Sequence, residues 1–160
     1  MCPAVGACVA QPLGVVIVDT RHPEAVATAA PLDLVLDACA VWELDCEDTL
    51  DQAGAVVITL TDNRGRVVGA PESSHGIGGQ ATDDLCSPRV WARDDAITIA
   101  HELGHVLGLE HVGREGSDAR NVMTPRVSAD SDETTERQRR RVHRRARALA
   151  LCPGHRPIIH

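Results

Sequence analysis

The chain has 160 residues, 23 of them acidic and 16 arginine, with no lysine and a formal charge of −7. That length fits one domain, no run approaches the ~20 apolar residues of a membrane-spanning helix, and the acidity opposes a polyphosphate partner. Phe and Tyr are absent and only Trp42 and Trp91 are aromatic, so the core must be built from Ala, Val, Leu and Ile.

In chain order, the apolar, β-branched run Leu13 to Asp19 predicts a buried strand. Pro31 suits the first turn of a helix in which Leu32, Val35, Leu36, Cys39 and Leu44 recur near helical spacing, with Trp42 close to its end. Gly54 to Thr61 predicts a second strand, and the turn Asp62-Asn63-Arg64-Gly65 leads into Arg66 to Ala70, making a β-hairpin. From Pro71 to Pro88 the chain is rich in Gly, Ser and Asp and predicts a long irregular loop at a cleft rim. Its glycines Gly76, Gly78 and Gly79 lack the Lys-Ser/Thr ending of a phosphate-binding loop. His75, Asp83 and Asp84 in this loop read as solvated residues, with calcium ligation by the two aspartates as the alternative.

Arg89 to Arg93 predicts a last strand, and Asp94 or Asp95 then caps a helix whose inward face is Ile97, Ala100, Leu103, Gly104 and Leu107. Asp130 to Leu151 predicts the final helix, with Asp130 and Glu133 in capping positions and a narrow apolar stripe of Val142, Ala146 and Leu149. Its arginines, among them Arg139, Arg140, Arg141, Arg144, Arg145 and Arg147, read as a solvated face. No aromatic residues are interleaved to make a nucleic-acid surface, and residues 1–125 carry 19 acids against 7 arginines.

Residues 101–111 read His-Glu-Leu-Gly-His-Val-Leu-Gly-Leu-Glu-His. On a helix, His101 and His105 stack on one face about 6 Å apart and can reach one ion, while Glu102 is placed to work on a water molecule. Gly108 allows a left-handed exit from the helix that returns His111 as a third ligand and leaves a fourth position open. At this chain's own residue frequencies, the five fixed positions coincide by accident roughly once in ten thousand sequences.

This extended motif resembles that of the metzincin zinc endopeptidases, and Asn121-Val122-Met123-Thr124-Pro125 resembles their Met-turn, with Met123 beneath the metal. Within that family the likeness is to matrixin-like bacterial metalloproteases, and it spans roughly residues 13–151, between an N-terminal segment 1–12 and a tail 152–160. The resemblance implies an α/β (α+β) fold: a small twisted mixed sheet with an edge strand lining the cleft, a backing helix, an active-site helix and a C-terminal helix. It implies one catalytic zinc per chain on His101, His105 and His111, and a structural-metal role for His75 as the alternative to a solvated one, while calcium finds no support. Glu102 would act as general base and then acid toward a zinc-polarised water. A peptide or protein substrate would run antiparallel along Val67, Val68, Gly69 and Ala70, with a specificity pocket bounded by Pro125, Arg126 and Val127. The chain departs from the family in having no tyrosine near the Met-turn to serve as a mobile extra ligand. The alternatives are a zinc-stabilised peptide-binding module without catalysis, and a zinc hydrolase of a non-peptide amide.

Cys2, Cys8, Cys39, Cys46, Cys86 and Cys152 form an even set without a paired CxxC motif, which suggests disulfides and an oxidising compartment over buried cytosolic thiols. Fifteen connectivities are open; proximity suggests Cys39 with Cys46, and tying the last helix to the sheet suggests Cys86 with Cys152. Residues 1–12 lack the basic and apolar regions of a secretory leader, so an exported, secreted protein is expected to have carried one outside this chain. The expected protein is a monomer, with no transmembrane segment and no nucleic-acid partner.

Overall fold

The computed structural model describes residues 12–19, 29–50, 54–61, 79–82, 86, 88–113 and 119–152. The elements are β1 (Leu13–Asp19), α1 (Ala29–Val41), β2 (Cys46–Asp48), β3 (Val56–Thr61), β4 (Gly79–Ala81), β5 (Arg89–Arg93), α2 (Ala96–Val106) and α3 (Glu136–Leu149). They build a mixed α/β fold around a five-stranded sheet of order β2-β1-β3-β5-β4. Four strands are parallel, and β4 closes one edge antiparallel to β5. Every residue of β3 is buried, as a central parallel strand covered on both faces requires, whereas β5 alternates with Arg89 and Arg93 outward.

The core is aliphatic apart from one indole. Val15, Val35, Ile58, Leu60, Ile99, Leu103, Leu107 and Leu149 are fully buried around Trp42, whose Nε1–H donates to the carbonyl of Ala100 at 2.8 Å and so joins the end of α1 to α2. At roughly 1.5–3 kcal/mol for each such aliphatic side chain, this burial is the main stabilising term. Two disulfides reinforce it, Cys39–Cys46 and Cys86–Cys152, both in the expected pairing. Cys2 and Cys8 lie outside the described residues.

Several boundaries differ from the sequence expectation. α1 stops at Val41 and does not reach Leu44, because Glu43 takes the left-handed conformation (φ 55°) and turns the chain into β2, a strand too short to show a pattern. The second strand opens at Val56 instead of Gly54, whose own φ of 77° belongs to the preceding turn. Part of the expected Pro71-to-Pro88 loop is the strand β4, held by backbone pairing of Gly79, Gln80 and Ala81 with Ala92, Trp91 and Val90; a ladder made by main-chain groups leaves no side-chain signal. On α2, the fully buried isoleucine is Ile99, with Ile97 only partly covered.

The largest correction concerns the last helix, which begins at Glu136 and not at Asp130. Asp130 and Glu133 do not cap it. Glu133 instead forms a parallel bridge with Asn121, and Ser131 is buried, with its hydroxyl accepting from the Ser128 N–H, so residues 128–133 stay with the preceding turn. The cap is Thr135, in a reciprocal capping box with Gln138, and the stripe Val142, Ala146 and Leu149 is the buried face as expected. The hairpin strand Arg66 to Ala70, together with His75, Asp83 and Asp84, lies outside the described residues.

Candidate metal centre

α2 is launched by Asp95, whose carboxylate accepts from the Thr98 backbone N–H and from the Thr98 hydroxyl, both at 2.7 Å. It ends in a Schellman turn: the N–H of Gly108 reaches the carbonyl of His105 at 2.9 Å, and the N–H of Leu109 reaches that of Gly104 at 2.8 Å. Gly108 has φ 88°, and the nearest atom to a β-carbon there is Arg141 Nε at 3.6 Å, so conformation and not space demands glycine. The turn reverses the chain and carries His111 back over the helix.

The Nε2 atoms of His101, His105 and His111 form a triangle with all three edges 3.1 Å. Two of these rings are aimed by the backbone. His101 Nδ1 donates to the carbonyl of Val122 at 2.7 Å, and His105 Nδ1 donates to that of Leu109 at 2.9 Å. A carbonyl can only accept, so the proton of each ring sits on Nδ1 and its Nε2 presents a lone pair. Lone pairs facing one another at this range repel unless a cation lies among them. Tetrahedral zinc with bonds of about 2.0–2.1 Å sets its nitrogens about 3.3 Å apart, which the observed triangle meets within tenths of an ångström. These three residues can therefore hold a metal ion.

Met123 packs against α2 at Gly104. It is fully buried, and a β-carbon on Gly104 would lie 2.3 Å from its Sδ and 2.9 Å from Trp42 Cζ2, so the helix tolerates no side chain between the turns bearing His101 and His105. The turn carrying Met123 is fastened by Asn121, whose Oδ1 accepts the Met123 N–H at 2.9 Å, and by the Val112 N–H, which donates to the Met123 carbonyl at 2.9 Å. Asn121 also exchanges two hydrogen bonds with the Gln138 side chain, at 3.0 and 2.9 Å. These carbonyls, Asn121 and Gln138 were not read from the sequence. Asn121, two residues before Met123, was the one available signal, since Asn commonly bonds its own backbone two residues on.

Electrostatics follow from burial. His101 is pushed down to about 4, chiefly by desolvation, partly offset by the Val122 carbonyl and deepened by the neighbouring imidazoles. His105 is lowered for the same leading reason. Burial raises Glu102 to about 7. Its side chain is 95% buried by the residue's exposure of 5%, and it makes no hydrogen bond or ion pair among the described residues, an arrangement that costs stability.

Beside His105 opens a cleft of about 560 Å³, lined by Ala81, Thr82, Gly108, Leu109 and Glu110. β4 supplies its sheet side. The expected substrate strand Val67, Val68, Gly69 and Ala70 lies outside the described residues. Pro125 and Val127 are half-buried and Arg126 is exposed, and none of the three lines this cleft.

No protein-family model matches the chain, and no curated protein is similar to it.

Proposed function

We propose that this chain is a metzincin-like, zinc-dependent endopeptidase acting outside the cytoplasm. The observation that carries the reading is the convergence of three imidazole Nε2 atoms at the helix turn that also bears Glu102, a buried carboxylate with no hydrogen bond or ion pair among the described residues. A structural site would gain nothing from a buried Glu102 that has no partner among the described residues, whereas a proton-transfer residue needs a carboxylate poised near neutrality. Zinc, when bound, supplies a Lewis acid that polarises water and the scissile carbonyl. His101, His105 and His111 hold the ion, with two rings kept in register by the Leu109 and Val122 carbonyls. Glu102 takes the proton of the attacking water, turns it toward the carbonyl carbon and passes a proton to the leaving amine. The substrate main chain lies along the edge of the sheet above the cleft, which Ala81 of β4 and the following Thr82 line. The two disulfides support an oxidising compartment.

Metal analysis of the purified protein, with digestion of a mixed peptide library with and without chelator, tests this. One zinc per chain and internal cuts lost on chelation are expected. Glu102→Ala should keep the zinc and abolish cleavage; a variant that still cuts would defeat the mechanism.

A further inference from the structure

A second concavity, of about 830 Å³, runs along α3 between its arginines and the turn at Glu43. That volume lies within the range of ligand clefts, about 300–1,000 Å³. Four arginines line it, and they fall into two classes. Arg139 pairs with Glu43 at 3.2 Å, and Arg140 pairs with Glu136 one turn back. Arg144 and Arg147, on the next turn, also line the groove and make no hydrogen bond or ion pair among the described residues. The same end of the groove is apolar below, where Ala148 is exposed and Leu151 is 84% exposed. Guanidinium forks suit carboxylates, and here the chain's own glutamates occupy the first two, while the last two have no partner among the described residues and stand beside an exposed leucine.

We propose that this groove docks an acidic peptide segment carrying an apolar residue. Its carboxylates pair with Arg144 and Arg147 as Glu43 and Glu136 pair with Arg139 and Arg140, and its apolar side chain covers Leu151. Two observations favour this occupant over other polyanions. No Phe, Tyr or Trp lines the groove, so bases find no stacking platform, and His143 already donates its Nε2–H to the Trp42 carbonyl at 3.0 Å. The carboxylates of Glu43 and Glu136 line the same groove and repel a continuous phosphate backbone or headgroup layer, whereas a short peptide needs to reach only Arg144 and Arg147. The site lies apart from the metal centre and does not depend on the peptidase reading.

The test is fluorescence anisotropy of the full chain with a labelled octapeptide alternating glutamate and leucine, and with its glutamine counterpart. The glutamate peptide is expected to bind at least about tenfold more tightly and to weaken as salt is raised. Arg144→Glu with Arg147→Glu should weaken it about tenfold, and Leu151→Ser several-fold. Glu43→Gln, which frees Arg139, should tighten it, a gain that misfolding cannot imitate. Equal binding of the glutamine peptide, no change in these variants, or tighter binding of oligothymidylate or phosphatidylserine vesicles would overturn the proposal.

Discussion

Asn121 and Gln138 face each other as a reciprocal amide pair, each donating to and accepting from the other, at 3.0 and 2.9 Å. The same Gln138 accepts the Thr135 N–H that opens α3, and the same Asn121 accepts the Met123 N–H. One pair of side chains thereby links the cap of the C-terminal helix to the turn whose Val122 carbonyl orients His101.

Breaking that pair should therefore act at a distance from the ion. Asn121→Ala and Gln138→Ala are each expected to cost about 1–2 kcal/mol of stability, and less together than the sum, since either alone already orphans the other. Zinc affinity, measured by competition with a chromophoric chelator, should fall about 10- to 100-fold in Asn121→Ala, as expected when support for a ligating histidine is lost.

Gly104 within α2 and Gly108 in the turn after it should fail for different reasons. Gly104→Ala drives a β-carbon into Met123 Sδ and should destabilise the fold by about 1–3 kcal/mol. Gly108→Ala makes only ordinary contact with Arg141 and should cost about 1–2 kcal/mol through its left-handed backbone. Urea midpoints measure both losses. Gly104→Leu should then be worse than Gly104→Ala, whereas Gly108→Leu should resemble Gly108→Ala.

Acidity should act on the metal-free protein in two opposed steps. His101 is lowered from 6.5 to about 4 in the fold, so the unfolded chain binds protons first and stability falls as the pH drops through that window. Glu102 is raised from 4.5 to about 7, so the fold prefers its protonated form and stability falls as the pH rises from 4.5 to about 7. Glu102→Gln removes only the second slope. At pH 8 this variant should be more stable than the parent by ~1–3 kcal/mol without metal, whereas near pH 4 the two should converge. Thermal unfolding in the presence of chelator decides it; equal melting temperatures at pH 8 would contradict the burial argument.

Loss of the long disulfide should cost more than loss of the short one. Cys86–Cys152 spans 66 residues and Cys39–Cys46 spans 7, for which loop-closure entropy gives about 4 and about 2 kcal/mol respectively. Cys152→Ser and Cys46→Ser, compared by denaturant unfolding, should rank in that order.

The candidate metal triad was legible in the sequence because its geometry is local: a four-residue helical spacing and one left-handed glycine turn bring His101, His105 and His111 together. The strand spans Leu13–Asp19 and Arg89–Arg93 were legible for the same reason, as short runs with their own burial pattern. β2 and β4 were not, since three residues of backbone pairing carry no periodicity. The start of α3 misled because Asp130 and Glu133 look like caps, and only the tertiary bridge from Glu133 to Asn121 shows that this segment is committed elsewhere. Backbone carbonyls that aim imidazoles have no residue signature at all.

The placement of Trp42 makes the molecule its own optical probe. Without tyrosine, ultraviolet emission arises from two indoles, and one of them is sealed against Gly104 between the ligand-bearing turns of α2. If the imidazoles take up an ion, that wall lies within one helical turn of it, so titrating zinc into the stripped protein should change the intensity of a shielded, blue-emitting fluorophore while Trp91 supplies the background.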